Sequence, residues 1–80
     1  MASIRSRKGK LFLDFYYSGV RCREQTELDD SVLNRRKLER LLNTITQDIN
    51  LGIFIYRDVF PHSAKIALFA EADQQALIKK

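Results

Sequence analysis

Leu11-Phe12-Leu13-Asp14-Phe15-Tyr16-Tyr17, then Ser18-Gly19, then Val20-Arg21-Cys22-Arg23 is the stretch that decides the fold. It reads as two strands joined by a two-residue turn, because a Ser-Gly pair tolerates positive φ and aromatic and β-branched residues flank it. A second turn signal, Lys8-Gly9, lies upstream and follows Ala2-Ser3-Ile4-Arg5-Ser6-Arg7. The simplest reading is an antiparallel meander with strands over 2–7, 10–17 and 20 to about 25.

The turns set a register, and the register sorts the side chains. With Ser18 and Gly19 as the loop, Tyr17 faces Val20, Tyr16 faces Arg21, Phe15 faces Cys22 and Asp14 faces Arg23. With Lys8 and Gly9 as the other loop, Arg7 faces Lys10, Ser6 faces Leu11, Arg5 faces Phe12 and Ile4 faces Leu13. Side chains alternate faces along a strand. One face therefore carries Ile4, Leu11, Leu13, Phe15, Tyr17, Val20 and Cys22, a core face. The other carries Arg5, Arg7, Lys10, Phe12, Asp14, Tyr16, Arg21 and Arg23, a basic face with two aromatics in it. Asp14 opposite Arg23 predicts a cross-strand ion pair that aims the guanidinium.

The apolar face requires a cover, and the chain supplies one. From about Val32 to Leu51 the spacing Leu38, Leu42, Ile45, Ile49 is that of an amphipathic helix, with Leu41 beside the stripe. Leu28-Asp29-Asp30-Ser31 is a helix-start signal in which Asp30 or Ser31 caps the free N–H groups, and Gly52 is a stop. The acids Glu24, Glu27, Asp29 and Asp30 have no His or Cys near them, so a metal site is the weaker reading. Ile53 to Pro61 predicts a short helix around Ile55–Val59, with Phe54 and Phe60 as satellite core residues. Residues 63–80 show no clear caps and predict a flexible linker toward a following domain. The expected fold class is α+β: a three-stranded antiparallel β-meander packed on one long α-helix, then a short helix and a flexible tail.

Eighty residues make one small domain with a modest core. No apolar run is long enough to span a membrane, and the N-terminal residues lack the apolar core of a secretion signal. A single cysteine, Cys22, falls on the core face, which predicts a buried thiol and a reducing, cytoplasmic setting. The net charge of +4 is unevenly placed. Up to residue 23 the bases Arg5, Arg7, Lys8, Lys10, Arg21 and Arg23 meet one acid, Asp14, and Arg35-Arg36-Lys37 add to the excess. Positive charge gathered on one face is the footprint of a nucleic-acid surface. Its plain alternative is a solvated edge that keeps a small sheet from aggregating. No Gly-rich phosphate loop, no metal-ligand cluster and no Ser/His/Asp set occurs, and His62 stands alone. No enzyme activity, cofactor or small-molecule substrate is expected of these residues.

The segments Gly19-Val20-Arg21-Cys22-Arg23-Glu24, Asn34-Arg35-Arg36, Asp48 to Tyr56 and Phe60-Pro61-His62-Ser63 come in an order that resembles a known family. The chain is similar, over about residues 2–65, to the N-terminal arm-type DNA-binding domain of phage and prophage integrases of the tyrosine recombinase family. The resemblance implies an arm-type DNA-binding domain over 1–62, and over 63–80 a linker toward a core-binding and catalytic region that this chain lacks. It implies binding to short arm-type sites with the sheet in the major groove, as part of integrase-mediated integration and excision in the bacterial cytoplasm. The parent protein would be a tyrosine recombinase working with other protomers, while the fragment itself would not cut DNA. The outward residues Arg5, Arg7, Phe12, Tyr16, Arg21 and Arg23 match the positions the resemblance points to, and the register alone selects the same set. Arg21 and Arg23 are the expected base readers, since a guanidinium pairs bidentately with guanine. Tyr16 suits a thymine methyl or a sugar. Lys8, Lys10, Arg35 and Arg36 are the expected phosphate contacts. Two other readings stay open: a double-stranded RNA-binding module of β-β-β-α shape, and a protein-interaction domain using Phe12 and Tyr16 as anchors.

Overall fold

Both turn signals are tight hairpins. In the computed structural model, which describes residues 2–79, Lys8 and Gly9 have φ of 53° and 81°, and Ser18 and Gly19 have φ of 54° and 77°. Positive φ at both central residues is the type I′ turn, whose twist matches that of the strands it joins. The turns connect β1 (Ser3–Arg7), β2 (Lys10–Tyr17) and β3 (Val20–Asp29) into an antiparallel sheet in the order β1-β2-β3. Every expected pair is present, from Ile4 with Leu13 and Arg7 with Lys10 to Asp14 with Arg23 and Tyr17 with Val20.

β3 runs further than the sequence suggests, to Asp29, because of an irregularity. Phe12 pairs with Gln25 but Lys10 pairs with Asp29, so β3 spends more residues than β2 over this step. Such a bulge leaves Leu11 without a regular partner on β3. Side chains repair the gap. The Leu11 carbonyl accepts from Thr26 Oγ1 at 2.8 Å and from Gln25 Nε2 at 3.2 Å, and Thr26 Oγ1 in turn accepts the Leu28 N–H at 3.1 Å. Beyond the bulge the Asp30 N–H donates to the Gly9 carbonyl at 3.0 Å, which ties the end of β3 to the first hairpin turn.

The chain divides into two compact units, one up to Thr46 and the other from Gln47, and the boundary falls within helix α1 (Val32–Leu51). In the first unit the inner sheet face buries Leu11, Leu13, Phe15 and Cys22, while Ile4, Tyr17 and Val20 are half-buried. Leu38, Leu42 and Ile45 of α1 are the buried helix residues of that unit and supply the cover. Each such side chain contributes about 1.5–3 kcal/mol before entropy costs. The helix starts at Ser31, whose Oγ accepts the Asn34 N–H at 3.1 Å. It ends in a Schellman turn: Gly52, at φ 73°, donates to Ile49, and Ile53 donates to Asp48.

The second unit has its own core. Helix α2 (Tyr56–Val59) lies within the apolar segment where a short helix was expected. The Tyr56 ring is fully buried, with centroids 4.7 Å from Phe69, 5.0 Å from Phe60 and 5.8 Å from Phe54. The tail expected to be flexible carries helix α3 (Ala70–Lys79). Asp73 and Ala76 are its buried residues, with Phe69 buried just before it, and the acid at a buried position hides the helix from hydropathy. Asp73 accepts the Tyr56 N–H at 2.7 Å and the Arg57 N–H at 3.2 Å, and so caps α2 from a distant part of the chain. Ile55, the residue preceding α2, provides no side-chain cap of its own. Met1 and Lys80, the outer ends of the two expected segments, lie outside the described residues.

Candidate nucleic-acid interface

The outer face of the sheet is organised around one carboxylate. Asp14 is buried on a face that otherwise meets solvent, because arginines lie over it. Arg21 makes a two-point contact, Nε donating to Oδ1 at 3.1 Å and Nη2 to Oδ2 at 2.7 Å. Arg5 Nε lies 3.4 Å and Arg23 Nε 3.9 Å from Oδ2, and all these guanidinium groups keep substantial exposure. The expected partner, Arg23, is directly opposite in the register yet is the more distant one. The close pair is the diagonal one, since a long side chain reaches across to the next position of its own face. The hydrogen bond from Arg21, with the positive charges of Arg21, Arg23 and Arg5, holds the Asp14 carboxyl below its usual range against the opposing effect of burial. The same contact raises Arg21.

Around this centre the remaining sequence-selected residues spread over the same unit. Ser6, Arg7, Phe12, Arg23 and Gln25 line an open groove on the outer face. Tyr16 stands across from Arg21 with 55% of its surface exposed. Arg7, Lys8 and Lys10 border a second hollow with Gln25, Thr26 and Glu27. Lys10 is held by Asp29 at 2.6 Å, and that contact raises its pKa. Arg35 is also engaged: its Nε and Nη2 donate to Asp30 at 2.6 and 3.0 Å, which holds the Asp30 carboxyl below its usual range. Arg35 also lines a hollow with Ala2, Ser3, Ile4 and Glu39 where β1 meets α1. Arg36 is exposed on α1.

Gln25 was not among the residues selected from sequence. Alternation from Arg21 and Arg23 would have placed it on the same face, and the bulge keeps it there by tying its amide to the Leu11 carbonyl. Among the described residues no group of His, Cys, Asp and Glu is arranged to hold a metal ion. No described helix is long and apolar enough to cross a membrane.

A small antiparallel sheet backed by a helix, with exposed arginines and Tyr16 on its free face, is a β-β-β-α module with the basic surface that nucleic-acid binding requires. The family model of the Arm DNA-binding domain matches residues 1–64, and the chain belongs to that family. This domain type is a non-catalytic DNA-binding module found in phage integrases. Searches of curated proteins and of solved structures return no match.

Proposed function

We propose that this domain binds arm-type sites on double-stranded DNA with the outer face of its sheet in the major groove, as part of integrase-mediated integration and excision. The observation that carries the reading is the exposed cluster of Arg5, Arg21 and Arg23 around Asp14, bordered by Phe12 and Tyr16. A twisted sheet with long donors on one face fits the major groove, where each base pair shows a distinct pattern. Lys8 and Lys10 border that face and Arg35 and Arg36 extend from α1, and these four serve as phosphate contacts. Lys10 and Arg35 are already paired with carboxylates, but ion pairs of this exposure are weak and phosphate oxygens compete for them. In this reading residues 1–62 are the binding domain and 63–80 lead toward a core-binding and catalytic region of a tyrosine recombinase, acting with other protomers in the cytoplasm.

The test is an amide chemical-shift titration of the protein with a duplex from a candidate attachment region, at several salt concentrations. Shifts should concentrate on residues 5–23 and weaken with salt. Four phosphate contacts give a slope of log K on log salt of about −3.6, or roughly a 150-fold loss between 50 and 200 mM. Shifts confined to α1 would reject the docking of the sheet. No response to any DNA duplex, with a response to duplex RNA or to a protein, would reject the DNA reading.

A further inference from the structure

We propose that Asp14 is a positioning residue that makes Arg21 the guanine reader of this face, an inference that rests on the DNA-binding reading above. A guanidinium carries five N–H donors in a rigid fork. Asp14 takes two of them, from Nε and Nη2, and so occupies one side of the fork. The end formed by Nη1 and Nη2 stays free, on a side chain that is 43% exposed. That end has the spacing of guanine O6 and N7. With the other edge fixed, the fork is oriented before DNA arrives, and little rotamer freedom is lost on binding.

The other two arginines are held differently. Arg23 Nε, at 3.9 Å, is within ion-pair range of Oδ2 but makes no hydrogen bond to it. Arg5 Nε, at 3.4 Å from Oδ2, is shared with Ser3 Oγ at 3.4 Å. Both are free to swing toward phosphates, which position without specifying. A buried carboxylate on a surface that meets a polyanion weakens general attraction. Its presence at the centre of that surface is accounted for if it is traded for selectivity. Tyr16, directly across from Arg21, borders the same spot and suits the neighbouring base.

The test selects binders from a duplex pool with a randomised central segment, using the whole chain. Wild type, Asp14→Asn, Arg21→Lys and the double variant are compared after their folding is checked by circular dichroism. Arg21→Lys should lose preference for guanine at one position by roughly 5- to 150-fold, with the salt slope on unselected duplex unchanged. Asp14→Asn should lose preference at the same position, bind unselected duplex at least as well as wild type, and steepen the salt slope by about 0.9. The double variant should lose no more than Arg21→Lys alone. Preference retained in Asp14→Asn, losses spread evenly over all positions, or losses that add in the double variant would each overturn the proposal. Should Asp14→Asn not fold, Asp14→Glu carries the test, since it keeps the charge and shifts the carboxylate. Weaker preference at that single position with an unchanged salt slope supports positioning, and unchanged preference overturns it. A wild-type protein that enriches no sequence refutes the DNA-reading function itself, whereas enrichment that does not depend on Arg21 refutes only this inference.

Discussion

Replacing Asp73 with alanine removes both acceptors at the start of α2. The Tyr56 N–H at 2.7 Å and the Arg57 N–H at 3.2 Å would lose this acceptor, and Ile55 has no side chain able to take over. Tyr56 is fully buried, so its amide cannot turn to water, whereas Arg57 is exposed and its amide can be solvated in part. A hydrogen bond to a charged group is worth about 1.5–3 kcal/mol, and a buried donor left alone costs about 1–3 kcal/mol. Counting the Tyr56 bond in full and the Arg57 bond as largely recovered gives about 2–4 kcal/mol. The assay is native-state amide exchange at those two residues, because it reads the local opening of this unit directly. Exchange in Asp73→Ala should be about 30- to 1,000-fold faster than in wild type. Asp73→Asn, which keeps one acceptor oxygen, should fall between the two. Unchanged exchange at Tyr56 in Asp73→Ala would mean that the carboxylate is not what anchors α2.

Two further outcomes follow from the sheet. The Asp14 carboxyl is held below its ordinary value of 3.8, so the unfolded chain binds its proton more readily than the folded one. Its stabilising contribution is present above that value and is lost as pH falls below it. Acid unfolding followed by circular dichroism should therefore fall more steeply for wild type than for Asp14→Asn over this range, and parallel curves would refute the assignment. Thr26→Val removes the hydroxyl that bridges the Leu11 carbonyl and the Leu28 N–H, while Gln25 still serves Leu11. A loss of about 1–2 kcal/mol is expected in urea denaturation, and an unmoved midpoint would show that the bulge does not need the hydroxyl.

Much of the sheet was legible because tight turns leave no freedom in pairing. Once Lys8-Gly9 and Ser18-Gly19 are loops, every facing pair follows, and with it the division into an apolar and a basic side. The helix was legible because Leu38, Leu42 and Ile45 repeat at helical spacing, with Ser31 before them and Gly52 after. Three features were not. The bulge depends on polar side chains substituting for main-chain partners, and Gln25 and Thr26 look the same in sequence whether they do so or face water. The Asp14 pair is set by the reach of an arginine, not by the register, so the diagonal Arg21 holds it more closely than Arg23. Helix α3 places Asp73 in its buried stripe, where hydropathy expects an apolar residue. The basic residues could be selected from sequence as a set, but not divided into those that are already engaged, such as Lys10 and Arg35, and those that are freer.

The meander also bears on how quickly this surface comes into being. Each strand pairs only with its neighbour in sequence, through turns of two residues, so very little chain entropy is spent in closing the sheet. Proteins with such local contacts cross their folding barrier rapidly. The strands, both turns and the covering turns of α1 all lie before Gln47. Because synthesis runs from the N-terminus, the residues of the basic face leave the ribosome before those of the second unit.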